Sequence, residues 1–240
     1  MQIFENASDV LALPRPDNIF LLEPYIPRDC IVMLYGYAGL GKTAVSWAMA
    51  QAIQCGKSVW GLPVSQANVL YMELDMPVMI TQERWLSRDP PFQPSFTVAF
   101  EETSLDCLQF LSSYPDERHR GLRDLLQKLH VRHQFGLVVV DALREVVQGD
   151  LSLSGLPRRV YDAFKVIFPG ATILFIHHER KMSQGLVGYT DPKQSAAGSM
   201  EFINVAQVAL QFIKRGRETF LGHRKTQVST DFPVIESAEP

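Results

Sequence analysis

Residues 36–43 read GYAGLGKT and fit the pattern G-x-x-x-x-G-K-[ST]. They lie between an apolar run at 30–35 and a run of helix-forming residues at 44–55. A strand, a glycine-rich turn and a helix in this order form a cradle for phosphate groups, because backbone N–H groups and the start of the helix point at the anion. The segment therefore predicts a nucleotide site that follows a buried strand.

The same segment supplies candidates for individual contacts. Lys42 can reach the outer phosphates, and the Thr43 hydroxyl can bind Mg²⁺. The residues predicted to contact the phosphates are Gly36, Ala38, Gly39, Leu40, Gly41, Lys42, Thr43 and Ala44. A glycine-rich turn that fits the pattern by chance is the alternative, and the flanking strand and helix patterns argue against it.

Length and composition are those of an ordinary globular protein. The chain has 240 residues, 46% of them hydrophobic and 20% charged, which allows one domain with a substantial core. The net charge of -3 excludes a global basic field that would draw the protein onto nucleic acid. Any contact with nucleic acid must therefore come from a local patch.

The cysteines and the apolar runs indicate in which cellular compartment the protein is expected. Cys30, Cys55 and Cys107 form no C-x-x-C pair, which argues against zinc or a disulfide framework and fits a reducing cytoplasm. We expect buried, unreactive thiols. No apolar run approaches the roughly 20 residues of a membrane-spanning helix, and residues 1–16 lack the basic start and apolar centre of a signal peptide. We therefore expect a cytoplasmic protein.

From residue 30 onward, apolar runs alternate with helical patterns, which is typical of a parallel sheet with helices on both faces. The predicted strands are 30–35, 68–73, 96–100, 137–141 and 171–176. Strand-like runs at 205–212, 218–223 and 233–237 have no long helix between them and predict an antiparallel extension. The expected fold class is α/β with a mostly parallel central sheet whose type changes near residue 205.

Apolar residues at helical spacing predict two helices that face the core. One stripe comprises Leu122, Leu125, Leu126 and Leu129, and the other, after Pro157, comprises Val160, Phe164, Ile167 and Phe168. Residues 89–95 contain three prolines, which predicts an irregular surface connection between regular elements.

Acidic and histidine residues follow three of the predicted strands. Asp141 ends an apolar strand, where a parallel sheet places its ligands, so it is a candidate to hold Mg²⁺ through water; a helix cap or turn is the alternative. Glu73 and Asp75 share one face if their strand extends that far, and either could polarise water. His177 and His178 follow another strand and could sense a terminal phosphate, although a structural histidine is an equal alternative.

Five segments together resemble the RecA-like ATPases, specifically the hexameric branch that includes the plasmid replication helicase RepA and the ATPase half of DnaB-type helicases. They are EPYIPRDCIVMLYGYAGLGKT, WGLPVSQANVLYMELDMP, LVVVDALREV, ILFIHHERK and AAGSMEFINVAQVAL, within about 23–236. The resemblance implies ATP with Mg²⁺ and active sites formed between subunits of a hexameric ring. It places Asp75 at the position of the family's catalytic glutamate, favours His178 over His177, and points to Arg224 or Lys225 as a residue that reaches the neighbour's γ-phosphate.

The ends of this domain and one internal segment have separate predicted roles. We expect an N-terminal arm at 1–22, a mobile loop region at 177–198 and a C-terminal β extension at 205–237. The internal segment holds basic residues and Tyr189, and in the similar helicases the matching loop faces single-stranded DNA. The basic residues Lys214, Arg215, Arg217, Arg224 and Lys225 could contact phosphates, or could form a solvated rim.

These observations predict an ATP-hydrolysing, ring-forming motor that acts on single-stranded DNA in replication of a plasmid, phage or mobile element. The alternative is a regulatory or assembly ATPase whose nucleotide state controls a protein partner. A small-molecule kinase is disfavoured, because no arginine-rich lid is evident in the sequence.

Overall fold

The structure, a computed structural model, describes residues 6–14, 18–100, 105–112, 114–148, 151, 153–179, 200–215 and 218–225. Its strands are β1 (Phe20–Leu22), β2 (Ile26–Pro27), β3 (Ile31–Tyr37), β4 (Asn68–Glu73), β5 (Thr97–Phe100), β6 (Phe135–Asp141), β7 (Thr172–Glu179), β8 (Val208–Arg215) and β9 (Glu218–Lys225). Its α-helices are α1 (Ala7–Leu11), α2 (Lys42–Cys55), α3 (Val78–Leu86), α4 (Glu117–His133), α5 (Leu156–Ile167) and α6 (Met200–Val205), and 3₁₀ turns span Cys107–Leu111 and Leu143–Val146.

Within the described residues, one seven-stranded sheet has the order β5-β4-β6-β7-β3-β8-β9. Its first six strands pair in parallel and only β9 is antiparallel, to β8. The predicted α/β class and the five predicted parallel strands are confirmed. All parallel strands end at one edge of the sheet, so the residues that follow them can share one ligand.

The predicted change of sheet type near residue 205 is wrong. Residue Val205 ends α6, and β8 still pairs in parallel with β3, so the change comes later, between β8 and β9. The connection from β7 to β8, of which α6 is the described part, brings β8 into parallel pairing with β3, which a tight hairpin could not do. The predicted strand at 233–237 lies outside the described residues, as do positions 180–199 of the predicted loop region.

Helices cover both faces of the sheet, as predicted. On one face, α2 packs on alternate residues of the strands, among them Leu34, Val69 and Val139. On the other face, α4 and α5 pack on residues such as Met33, Leu70 and Val138. Successive side chains of a strand point to opposite faces of the sheet. The position of a polar residue at a strand end therefore decides on which face it lies.

The predicted stripe on α5 is confirmed, since Val160, Phe164, Ile167 and Phe168 are all buried. The stripe on α4 is narrower than predicted. Leu126 is buried and Leu122 and Leu129 pack against the core, but Leu125 is 52% exposed. Only residues spaced i, i+4 and i+7 face the sheet, because α4 lies at the surface and turns its remaining sides to solvent.

The irregular connection predicted at 89–95 is confirmed, but one of its residues is part of the core. Phe92 contacts Trp47, Trp85 and Phe96, so the turn is anchored by aromatic packing. Aromatic contacts of this kind stabilise the loop by more than the burial of apolar area alone would.

The three cysteines are free, as predicted, but only Cys107 is buried; Cys30 and Cys55 are half-buried at the ends of β3 and α2, which corrects the expectation of burial for those two. Within the described residues, no helix combines the length and the apolarity needed to cross a membrane.

Candidate nucleotide-binding site

The glycine-rich loop connects β3 directly to α2. Helix α2 begins at Lys42, and Gly41 before it has a left-handed φ of 86°, a conformation that a side chain makes unfavourable. A Cβ at Gly41 would have no atom within 4 Å, so backbone conformation and not crowding requires glycine there. The exposed loop thus presents backbone and the helix start to solvent, as a phosphate cradle needs.

Gly36 is required for a different reason, because β8 passes close beside it. A Cβ on Gly36 would lie 2.8 Å from the carbonyl oxygen of Phe212 and 2.9 Å from its Cβ. Both are held by the strand pairing of β3 with β8 and cannot move aside cheaply.

We therefore expect Gly36→Ala to lower the free energy of unfolding by about 1–3 kcal/mol through overpacking. Denaturant unfolding measures this change. Gly121→Ala is the matched control: Gly121 lies within α4, and an added Cβ there meets no atom within 4 Å. The control should stabilise the protein by about 0.5–1 kcal/mol, since alanine is the better helix former. Equal stability of Gly36→Ala and the unmodified chain would contradict the close approach of β8.

Lys42 is buried behind the loop and its ammonium group holds the loop's own backbone. Its Nζ donates to the carbonyl oxygens of Gly36 at 2.9 Å and of Tyr37 at 2.8 Å, and the side chain is 3% exposed. A buried ammonium needs such acceptors. Because Lys42 lies at the base of the loop, its ammonium group can also bind a phosphate group that enters the cradle.

Asp141 ends β6 and is joined to α2 through Tyr71 and Ser46. The Tyr71 hydroxyl donates to Oδ2 of Asp141 at 2.9 Å, and Ser46 Oγ lies 2.7 Å from the Tyr71 hydroxyl. Burial raises the pKa of Asp141, and the nearby hydroxyls of Thr43 and Tyr71 act in the opposite direction. Among the described residues, no group forms a hydrogen bond with Oδ1 of Asp141.

Glu73 and Asp75 follow one another at the end of β4, but the strand stops at Glu73, so the condition for a shared strand face is not met. The strand ends at Glu73, which is 1% exposed and pairs in register with Asp141. Asp75 lies beyond the strand and is exposed. Burial, then the charges of Asp141 and Asp75, raise the pKa of Glu73 to about 8. Neither Glu73 oxygen has a hydrogen-bond partner among the described residues.

His177 and His178 lie just before the last residue, Glu179, of β7, the strand between β6 and β3. His178 is in register with Gly36, and its side chain lies on the α2 face together with Asp141 and Glu73. His177 is in register with Tyr35 and faces the other way. Burial lowers the pKa of His178 and lowers that of His177 to about 4, so both imidazoles are neutral at pH 7.

Arg224 and Lys225 lie away from this edge within their own chain. Lys225 pairs with Ala209 on β8, and its Nζ donates to the carbonyl oxygens of Asn204 and Ala206 at the end of α6. Arg224 is the extra residue of a register shift and donates to Gln211. Their predicted role at a neighbour's site stays a prediction.

The cradle, the Asp141 carboxylate and Glu73 fit a nucleotide with Mg²⁺. The described residues contain no group of three or more His, Cys, Asp or Glu side chains that could hold a metal by themselves. Mg²⁺ in such sites takes one or two protein groups, water and phosphate oxygens. The free Oδ1 of Asp141 and the Thr43 hydroxyl at the start of α2 are groups of that kind.

Sequence reasoning missed Tyr71 and Ser46, which link β4 to α2. The available signal was the spacing of Tyr71, two residues before Glu73 and hence on the same face of β4. A tyrosine in an apolar strand is ordinarily a core residue, and its partner Asp141 is distant in sequence.

Comparisons with known proteins agree with this geometry. A family model described as an AAA domain matches residues 4–184. No curated protein matches the chain. Among solved structures, a KaiC-like protein from the hyperthermophilic archaeon Pyrococcus horikoshii OT3 aligns with a TM-score of 0.53 and 13% identity, over 90% of this chain and 86% of its own. At that identity the likeness concerns the fold alone. The fold is that of a RecA-like P-loop ATPase, and the chain belongs to the AAA domain family.

Proposed function

We propose that this protein hydrolyses ATP and uses the energy as a ring-forming motor on single-stranded DNA, in replication of a plasmid, phage or mobile element. The observation that carries the proposal is the meeting of Lys42, Asp141, Glu73 and His178 on one face at one sheet edge. Glu73, Asp141 and His178 come from the ends of three strands, and Lys42 comes from the start of α2. A sheet edge that collects them beside a glycine-rich loop suits binding and cleavage of a triphosphate.

Each group has a distinct part in this proposal. Lys42 neutralises the β- and γ-phosphates, and Thr43 and Asp141 hold Mg²⁺, which when bound neutralises the charge that develops on the phosphate oxygens. His178 lies beside Gly36 and, as a neutral imidazole, can donate to or accept from the terminal phosphate region. Because it lies near the end of β7, it connects that region to the segment that follows at 180–199.

Asp75 is the better candidate to activate water. It is exposed and lines a cavity of about 490 Å³ beyond β4 and β5, together with Phe100 and Glu145. Glu73 is buried beneath this edge, where water does not reach it. A general base must contact the water whose proton it takes.

We expect Asp75→Asn to lower kcat by about 100-fold or more, the range for loss of a general base. Glu73→Gln should lower kcat by less, at most about tenfold. Glu73 is buried under the sheet edge, so it can position the groups of the site but does not contact the attacking water. Steady-state ATPase assays at saturating ATP and Mg²⁺ measure both. A larger loss in Glu73→Gln than in Asp75→Asn would reverse the assignment.

The motor proposal is tested by ATPase rates with and without single-stranded DNA over a salt series. Because phosphate contacts release counterions, stimulation by DNA should be strong and should fall steeply with salt. The mass in solution with a non-hydrolysable ATP analogue and single-stranded DNA should be that of a ring. ATP hydrolysis that is indifferent to DNA would overturn the motor role.

A nucleotide-controlled switch that binds a protein partner is the second candidate. The net charge of -3 favours it, because a motor on DNA gains from a basic field that this chain has only locally. The same assay separates the two, since a switch hydrolyses ATP without a response to DNA.

A further inference from the structure

Tyr71 lies within the proposed metal site although it is not one of the proposed ligands. Its side chain is 0% exposed, and its hydroxyl contacts both Oδ2 of Asp141 and Oγ of Ser46. Ser46 Oγ in turn lies 2.8 Å from the carbonyl oxygen of Thr43. A continuous path of polar contacts therefore runs from the first turn of α2, across β4, to the end of β6.

The hydrogens available along this path decide its direction. The three contacts link four oxygens, and the hydroxyls of Tyr71 and Ser46 supply two hydrogens for them. Burial, above all, raises the pKa of Tyr71, so its phenol keeps its hydrogen. An ionised carboxylate only accepts, so the phenol hydrogen points to Asp141, and Ser46 shares its hydrogen between Tyr71 and Thr43.

We propose that Tyr71 is a positioning residue that orients the Asp141 carboxylate by occupying Oδ2, which leaves Oδ1 to face the metal site. It also ties Asp141 to the turn of α2 that carries Thr43, so that the two metal-site groups keep a fixed separation. This inference rests on the proposed function, in which Asp141 and Thr43 hold Mg²⁺.

Orientation matters here because the terminal torsion of an aspartate is broad and has no strong rotamer preference of its own. Mg²⁺ requires near-octahedral geometry, so a carboxylate that rotates binds it less well. Partners that orient a metal ligand from behind typically change metal affinity by about 10–100-fold. The buried phenol supplies such a partner to one oxygen only.

Tyr71→Phe removes the hydroxyl and keeps the ring, which stacks on Phe96 at 5.6 Å. Tyr161→Phe is the matched control, because the Tyr161 hydroxyl is also buried and donates to the carbonyl oxygen of Phe202 at 2.6 Å, on the opposite face of the sheet. Binding of Mn²⁺ in the presence of a non-hydrolysable ATP analogue is measured by electron paramagnetic resonance. We expect about tenfold weaker Mn²⁺ binding in Tyr71→Phe and no change in Tyr161→Phe.

Binding of a fluorescent ATP analogue in EDTA provides the second readout. It should be unchanged in Tyr71→Phe, because the cradle does not contact this residue's hydroxyl. A loss of metal-free binding equal to the loss of Mn²⁺ binding would overturn the proposal, since it would show general damage to the site. Unchanged Mn²⁺ affinity in Tyr71→Phe would also overturn it.

Failure of the nucleotide and metal site on which the proposed function depends gives a different result, because the unmodified protein would then bind no Mn²⁺ with the analogue. If circular dichroism shows that Tyr71→Phe does not fold, Ser46→Ala replaces it. That variant leaves Tyr71 in place and removes only the group behind it, so it should weaken Mn²⁺ binding by less than tenfold. Unchanged Mn²⁺ affinity in that variant would then overturn the proposal.

Discussion

Lys42→Ala is expected to lower kcat for ATP hydrolysis by at least about 100-fold, the loss found when one preorganised charge donor is removed from a transition state. The Nζ of Lys42 is the cation that the structure buries directly at the base of the glycine-rich loop. An alanine there leaves the carbonyl oxygens of Gly36 and Tyr37 without this donor and the phosphates without a counter-charge. Steady-state ATPase assays measure the effect, with binding of a fluorescent ATP analogue as a second readout.

Lys57→Ala is the control for this variant. Lys57 is exposed just beyond the other end of α2, so the change removes the same charge from the chain without touching the loop. Its kcat should stay within about twofold, as expected for a surface substitution. Turnover by Lys42→Ala at the unmodified rate would exclude Lys42 from the reaction and would contradict the proposed role of the loop in hydrolysis.

Local patterns in the sequence were sufficient for the parallel part of the sheet and for the loop. The strand β4 has the predicted bounds, 68–73, because an apolar run between polar residues is a local signal. The antiparallel pairing of β8 with β9 was predicted correctly, but the parallel pairing of β8 with β3 was not. The described helix before β8, α6, has only six residues, and so short a helix has too little periodicity to be recognised in the sequence.

The candidate site shows the same division between local and long-range information. The end of β6 at Asp141 and the position of His178 beside Gly36 follow from strand ends and strand order. The separation of Glu73 from Asp75 does not, because the spacing of two residues predicts a shared face only while the strand continues. The contact of Tyr71 with Asp141 joins residues 70 positions apart and depends on which strands are neighbours.

Glu73 gives the second large prediction, which concerns stability in the absence of metal and nucleotide. Its pKa is raised from 4.5 to about 8 by burial and by the neighbouring carboxylates, so the folded protein binds this proton more tightly than the unfolded chain does. The stability that this carboxyl contributes is therefore complete below about pH 4.5 and is lost as the pH rises through about 8. A shift of this size corresponds to a loss of up to about 5 kcal/mol.

Glu73→Gln replaces the carboxyl by a group that stays neutral, so this loss should be absent. We expect the stability of Glu73→Gln relative to the unmodified chain to rise between about pH 5 and pH 8 and to level off above pH 8, whatever constant offset the amide introduces. Urea unfolding in EDTA at several pH values measures the difference in slope. Asp75→Asn removes the weaker of the two carboxylate charges that raise this pKa and leaves the burial of Glu73 in place, so it should change the slope much less than Glu73→Gln does. Parallel pH profiles for Glu73→Gln and the unmodified chain would show that Glu73 is ionised in the folded protein, and would return it to consideration as the group that activates water.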